Sequence, residues 1–353
     1  MKLKVKLSIF MIAVMVFVVL GISTTLLNRS SALTVGLNRE ALDYYGYAQA
    51  MYLQGMENEN ITILRTVASV MSDYENIPAE QRRDEYERLL MAVLAQNERF
   101  VTIYTVWKPN AVDGRDSRFI GRLGSSPTGQ FAAEYTRENE RIEMRTSADL
   151  KSSMEYFNGT DSKKDRVSSP EAGTIGARNI YVINFMVPII NPRTNETVGA
   201  VGGYVDIAGI QTAVENTMYD YFIADLMAVY DDSGFILANA VPDRVGKNMR
   251  DAEAMLYGDF LEDAFQAVAG GWQGQYFCYS QILDTMVQIR LTPFKIGNSD
   301  KTWTVMIAAT EDYMLLEVRQ MTQFTIMLAV ILIITAAVII FVVVNKLTRQ
   351  SSI

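Results

Sequence analysis

The sequence predicts an α/β chain in which two tandem modules of sheet and helix follow one long helix, flanked by two transmembrane helices. Three observations predict it. Leu7–Leu27 and Phe324–Val344 carry no charged residue, and at about 1.5 Å per residue each can cross the roughly 30 Å hydrocarbon core of a bilayer. Between them the apolar period is helical up to about Gln96 and alternates from Phe100 onward. After Met218 the pattern restarts, as an internal repeat does.

The ends set the topology. The first apolar run is too long for a signal-peptide core and continues into helix-forming sequence, so it reads as an uncleaved anchor. Lys2, Lys4 and Lys6 precede it, and Lys346 and Arg349 follow the second run. The positive-inside rule therefore places both ends in the cytoplasm and the segment between the spans outside. A formal charge of −8 over 353 residues, with no basic cluster, argues against a nucleic-acid partner. The absence of histidine removes histidine triads and the usual zinc sites. The single cysteine, Cys278, cannot form an intrachain disulfide and reads as a buried core thiol.

From Asn28 to about Ser72 apolar residues recur at helical spacing as Leu42, Tyr45, Tyr52, Met56, Ile63, Val67 and Met71, predicting a stalk that continues the first span. A second helix is predicted from Pro78, in its first turn, to about Gln96. Strands follow at Phe100–Trp107, Gln130–Tyr135 and Arg141–Arg145, then a short helix, Asp149–Phe157, and the polar stretch Asn158–Arg166. A hairpin pairs Asn184–Ile190 with Val198–Ile207 through a turn rich in Asn and Pro, and a helix runs from Ala208 to about Met218. The second module reads as a hairpin, Leu226–Val241, turning at Asp231–Gly234, a helix Arg250–Val268, and strands Gln275–Leu283, Thr285–Leu291 and Thr302–Ala309. Pro188 to Asp206 and Pro293 to Glu311 are equally spaced, each proline beginning a strand, which marks the repeat.

Glycines at 199, 202 and 203 leave little side chain over the middle of the second hairpin strand, while Tyr204 and Asp206, two residues apart, share one face. That makes a bare floor for a small-molecule pocket ending in a phenol and a carboxylate. Asp206 is also placed to cap the helix beginning near Ala208. Asn110, Asp113 and Asp116 offer three oxygen ligands but do not fit an EF-hand loop, and a turn on Asp113-Gly114 accounts for them as well. The sequons at Asn60, Asn158 and Asn195 matter only in a cell that glycosylates. Scattered Ser, Asp and Lys give no activated nucleophile with a recognisable base, so an enzyme reading has no positive support.

At VWKPNAVDGRDSRF (Val106–Phe119) the chain resembles double-Cache extracytoplasmic sensors of methyl-accepting chemotaxis receptors, which carry a W-x-P-N-A-x-D-G-x-D signature. VPII with VGAVGGYVDIAGIQ is similar to the closing hairpin of the membrane-distal module, and Ala228–Met249 to the opening hairpin of the membrane-proximal one. The resemblance implies two PAS-like Cache modules, a small extracellular ligand in the distal one, and neither cofactor nor metal. In the amino-acid-binding branch an R-x-W-Y motif holds the ligand carboxylate, and a Tyr and an Asp hold its amine. Here Ser153-Met154-Glu155-Tyr156 keeps only the tyrosine, Glu171 stands beside Pro170 where that tyrosine is expected, and Tyr204 falls at the acid position with Asp206 two residues on. Losing the arginine fork removes bidentate carboxylate recognition. Acids beside Trp107, Tyr156 and Tyr204 suit a cation.

The candidate ligand-binding residues are therefore Trp107, Asp113, Asp116, Glu155, Tyr156, Glu171, Tyr204 and Asp206, with a cationic or amine-bearing ligand and, as the alternative, an amino acid or carboxylate. Glu155 and Glu171 read equally as solvated loop residues, and Trp107 as strand-end core. The expected layout is a cytoplasmic N-terminus at 1–6, spans at 7–27 and 321–344, stalk and second helix at 28–98, distal module at 99–218, proximal module at 219–320 and a cytoplasmic tail at 345–353. The expected setting is a homodimer in a bacterial inner membrane, signalling through the second span to a separate partner or to a C-terminal signalling region. A polysaccharide chain-length regulator shares two spans and a short tail, but that class expects long helical hairpins outside and often a proline-rich second span.

Overall fold

Helix α1, Leu3–Ser72, runs for 70 residues without interruption, as expected of a stretch that contains no proline. The structure, a computed structural model, describes residues 3–138, 141–148, 150–158, 163–175, 178–220 and 224–350, with some side chains inside helices and strands left aside. The chain divides into two units, Met1–Tyr44 with Ala309–Ile353, and Tyr45–Ala308.

The first unit consists of the start of α1 and of α8, Glu311–Gln350. Ser8–Ser72 and Glu311–Val344 each contain a window long and apolar enough to cross a membrane. Phe10, Phe17, Phe324 and Phe341 point outward, an arrangement stable where the surrounding solvent is lipid. Asn38 Nδ2 donates to Met314 O at 2.7 Å.

The second unit holds two antiparallel sheets. The first contains β1 (Phe100–Trp107), β2 (Ala132–Glu138), β3 (Arg141–Thr146), β4 (Arg166–Val167), β5 (Glu171–Ile175), β6 (Arg178–Ile190) and β7 (Thr197–Asp206), in the order β3-β2-β1-β7-β6-β4 with β5 also on β6. The second contains β8 (Leu226–Tyr230), β9 (Ile236–Asn239), β10 (Gly274–Ser280), β11 (Thr285–Lys295) and β12 (Thr302–Thr310), in the order β10-β11-β12-β8-β9. The repeat is a repeat of topology: β2-β1-β7-β6-β5 and β9-β8-β12-β11-β10 are the same path. Helices α2 (Arg82–Gln96) and α3 (Leu150–Asn158) belong to the first module, α4 (Ala208–Asp220) joins the two, and α5 (Met249–Ala252), α6 (Ala254–Tyr257) and α7 (Leu261–Gly270) cover the second.

Several expectations are corrected. The second helix starts at Arg82, because Pro78 sits in a turn closed by Gln81 N donating to Pro78 O at 2.9 Å. The helix expected over Arg250–Val268 is three pieces, interrupted by the tight turn Gly258–Phe260. Pro188 and Pro293 lie inside β6 and β11, each two residues before the strand ends, instead of beginning a strand. Strands β4 and β5 were not expected. The polar stretch Asn158–Arg166 falls partly on residues 159–162, outside the described residues.

One face of the first sheet packs on α1 and α2. Trp107 is fully buried there, stacked on Tyr86 with ring centroids 5.8 Å apart and edge-on to Tyr74 at 5.2 Å. The loop from Lys108 to Phe131 is anchored beneath by Arg83 of α2, itself buried. Its guanidinium lies 2.8 Å from Asp113 Oδ2 and 2.6 Å from Asp116 Oδ1, donates to Gly129 O at 2.8 Å, and covers the Phe119 ring at 3.8 Å. The second module buries Leu226, Tyr230, Ile236, Leu256, Tyr257, Val287 and Ile289 between its sheet and α5–α7.

Candidate functional site

The site is built on the other face of the first sheet, beneath α3. Strand alternation puts Thr102, Tyr104 and Val106 of β1 on this face, opposite to Ile103, Thr105 and Trp107. Pairing brings them beside Thr136, Glu134 and Ala132 of β2 on one side, and beside Tyr204, Gly202 and Ala200 of β7 on the other. Strand β6 adds Val182, Asn184 and Met186 opposite Asp206, Tyr204 and Gly202. Phe157 of α3 closes over Tyr104, Val106, Ala132, Met186 and Ala200, with Met154 packed against the same cluster.

The glycines of β7 are not a bare floor. A β-carbon on Gly202 would overlap the Tyr104 ring, and one on Gly203 would stand 2.6 Å from the Phe100 ring on the opposite face. The missing side chains let aromatic rings from β1 lie flat across β7, so the floor is a phenol. Tyr104 Oη donates to Asn184 Oδ1 at 3.0 Å, and the Tyr104 and Tyr204 rings stand 6.0 Å apart, tilted by 40°. Thr102 and Thr136 share a hydroxyl hydrogen bond of 3.0 Å. The half-buried carboxylate of Glu134 stands next in the row and accepts from Thr136 Oγ1 at 3.4 Å.

Asp206 ends this surface. Its Oδ1 accepts from Ala208 N at 2.9 Å, so it does cap the turn into α4. It also lines a cleft of about 300 Å³ at the strand ends, with Glu98, Arg99, Arg137 and Ile180 among the walls. Val182 stands between Asp206 of β7 and Glu171 of β5 in one transverse row, which separates the two acids by roughly 10 Å, two strand spacings. Glu171 is exposed at the start of β5, on a strand instead of a loop, and Glu155 is exposed on α3. Tyr156 lies on α3, but its side chain is outside the described residues.

The structure thus brings Tyr204, Asp206 and Glu171 to one surface, with Glu155 on the helix above it. It separates Trp107, Asp113 and Asp116 from that surface. Trp107 has the wrong strand parity and fills the α1–α2 core, and both aspartates are spent on Arg83. Sequence reasoning missed Tyr104, Asn184 and Glu134. The alternation in FVTIYTVW already opposes Tyr104 to Trp107, whereas the pairing that sets Asn184 and Glu134 beside Tyr104 is a long-range register.

This arrangement of two tandem sheets decides the comparison with solved structures. The extracellular domain of mmHK1S-Z3, described as a histidine kinase, superposes with a TM-score of 0.63 at 20% identity, over 80% of this chain and 97% of that one. The periplasmic sensory domain of the Campylobacter jejuni chemoreceptor Tlp1 gives 0.57 at 17%, over 80% and 98%. The chain has the double-Cache sensor fold. The ligand-binding domain of the Pseudomonas aeruginosa amino-acid chemoreceptor PctC, solved with GABA, shares this double-Cache fold at a TM-score of 0.52 and 14% identity, over 76% and 98%. In sequence, 205 residues are 23% identical to the methyl-accepting chemotaxis protein TlpQ of Pseudomonas aeruginosa, covering 53% of this chain and 28% of TlpQ. The double-Cache chain therefore matches well under a third of that relative's length. No protein-family model matches it.

Proposed function

We propose that this chain is the sensory region of a bacterial chemoreceptor that binds a small amine-bearing ligand between α3 and the first sheet. The observation that carries this reading is the Tyr104–Tyr204 pair, set beside Asn184 and bordered by Glu134, Asp206, Glu171 and Glu155. Phenol rings and carboxylates around one surface recognise an ammonium group by cation–π contact and ion pairing.

Residues 99–218 then form the membrane-distal module and residues 219–320 the proximal one, with 28–98 as stalk and second helix. Segments 7–27 and 321–344 cross the inner membrane, leaving 1–6 and 345–353 in the cytoplasm. The signal leaves through the second span toward a cytoplasmic partner or signalling region. The receptor works as a homodimer: Leu33, Leu37, Tyr44 and Tyr47 of α1 are 68%, 63%, 75% and 55% exposed and repeat at the a and d spacing of a coiled-coil seam. The two strand-rich sheets disfavour a chain-length regulator, a class built on long helical hairpins.

A second reading is an amino-acid or carboxylate ligand. Arg166 of β4 pairs with Met186 and so belongs to the same face, where a guanidinium can take up a carboxylate. PctC, of the same fold, was solved with GABA, which carries both groups.

The test is a thermal-shift screen of the full chain in detergent against amines, polyamines, amino acids and carboxylates. Ligand at 100 times its dissociation constant adds about 2.7 kcal/mol of stability. Amines that shift the melt, with the shift lost in Tyr204→Ala, support the first reading. Shifts confined to amino acids or carboxylates and lost in Arg166→Ala support the second.

A further inference from the structure

The turn between β11 and β12 is held from two sides by residues outside its own module. Asp165, nearly fully buried just before β4, donates its backbone N–H to Asn298 Oδ1 at 2.7 Å and accepts from Asn298 N on Oδ2 at 3.2 Å. The same carboxylate is ion-paired with Arg65 of α1. From α1 also, Asn58 Oδ1 accepts from Gly297 N at 2.7 Å, and Gln54 Nε2 donates to Lys295 O at 2.8 Å. Gly297 has φ +55°, and a β-carbon there would stand 2.6 Å from Ile61 Cδ1 and 2.7 Å from Asp165 Oδ2. The turn is therefore seated against both α1 and the first module.

Lys164 reaches Asp300 at 3.0 Å, and Lys301 reaches Asp232 at 2.7 Å and Ser169 Oγ at 3.3 Å. These are outlying, more exposed contacts of ordinary surface strength. The Asp165–Asn298 exchange differs in that Asp165 is nearly fully buried, so breaking it takes one of two partners from the Asp165 carboxylate and leaves a peptide N–H without its acceptor. Its two ends matter. Asp165 adjoins β4, whose Arg166 and Val167 pair with Met186 and Phe185, and Met186 is part of the candidate ligand surface. Asn298 leads within four residues into β12, which continues by chain connection into α8 at Glu311.

We propose that Asp165, gripped between Arg65 and the Gly297–Asn298 turn, is a clasp that makes the two modules one cooperative unit and couples the ligand surface to β12. Its use in signalling rests on the sensor reading above, but the clasp is tested without any ligand. The full chain in detergent is unfolded calorimetrically, and hydrogen exchange is followed at the amides of residues 296–301. Wild type unfolds residues 45–308 in one transition. Asp165→Ala and Asn298→Ala each split it into two and speed exchange at Gly297 and Asn298 about tenfold, the equivalent of one lost hydrogen bond. Lys164→Ala, which removes the exposed pair with Asp300, changes neither.

Should Asp165→Ala fail to fold, Asn298→Ala and Arg65→Ala decide the matter. A single transition with unaltered exchange in these variants, or an effect no larger than that of Lys164→Ala, overturns the clasp. Tyr204→Ala tests the coupling itself: it speeds exchange at Asn298 in the wild-type background and has no added effect beside Asn298→Ala. Equal effects in both backgrounds overturn the coupling, whatever ligand the protein binds.

Discussion

Arg83 and Asp113 form a fully buried ion pair 2.8 Å long, and the same guanidinium reaches Asp116 at 2.6 Å. The acidic loop that invites a metal in the sequence therefore already has its cation, supplied by α2. Asp113 Oδ1 also accepts from Arg115 N at 3.0 Å, and Asp116 Oδ2 from Asn110 N at 2.6 Å, so the carboxylates shape the loop as well as neutralise Arg83. Arg83→Met leaves two buried carboxylates without a counter-charge, and the expected cost is about 3 to 5 kcal/mol in urea unfolding. A loss below about 1 kcal/mol, the size of an exposed pair, contradicts this role. Calcium and chelator alike are expected to leave the wild-type melting temperature unchanged.

Gly202→Ala places a methyl group against the Tyr104 ring. The ring must move, and with it the hydrogen bond to Asn184, so a destabilisation of about 1 to 3 kcal/mol is expected. Tyr104→Phe keeps the ring and loses only the hydroxyl, for about 0.5 to 1.5 kcal/mol. Equal tolerance of both changes in chemical denaturation contradicts the packing of Tyr104 on β7.

The fold was legible where local chemistry dictates it. Phe100–Trp107 is built of β-branched and aromatic residues and forms β1 with those bounds, and the Asp231–Gly234 turn joins β8 to β9 as its residues require. What escaped depended on distant chain. Glu171–Ile175 reads EAGTI, whose glutamate, alanine and glycine do not favour a strand, and it is a strand where β6 runs beside it from Arg178. Trp107 drew a functional reading because a tryptophan beside an acidic loop looks like a binding group, yet Tyr74 and Tyr86 from the helices enclose it. Asp206 was legible as a cap and as a residue on the Tyr204 face, because each follows from its position at the strand-to-helix junction.

The cap made by Asp206 and the ligand contact proposed for it can be separated by substitution. Asp206→Asn keeps an oxygen able to accept from Ala208 N–H, so stability is expected to hold within about 0.5 kcal/mol. The negative charge is lost, and affinity for an amine ligand, measured calorimetrically, is expected to fall about tenfold, as for removal of one partner of a charged contact. Asp206→Ala loses the cap too and costs about 1 kcal/mol of stability. An Asp206→Asn variant with undiminished amine binding moves the ammonium contact to Glu134 or Glu171.

The last prediction concerns pH. Glu253 is fully buried in the second module, where Asn239 Nδ2 donates to it at 2.7 Å and Arg244 pairs with it at 2.7 Å. Burial nonetheless raises its pKa above the ordinary carboxylate value, Arg244 and Asn239 offsetting the effect only in part. Asp231, at the β8–β9 turn, is raised for the same reason despite the hydrogen bonds it accepts from Ser233 and Phe235. A carboxyl with a raised folded-state pKa holds its proton longer in the native chain than in the unfolded one. Its contribution to stability is full below the unfolded value and is lost as pH rises through the folded one. Glu253→Gln cannot titrate, so its stability relative to wild type is expected to be poorest below the ordinary carboxylate range and to recover as pH rises above it. Parallel curves of melting temperature against pH for the two proteins, across that window, contradict the raised value at Glu253.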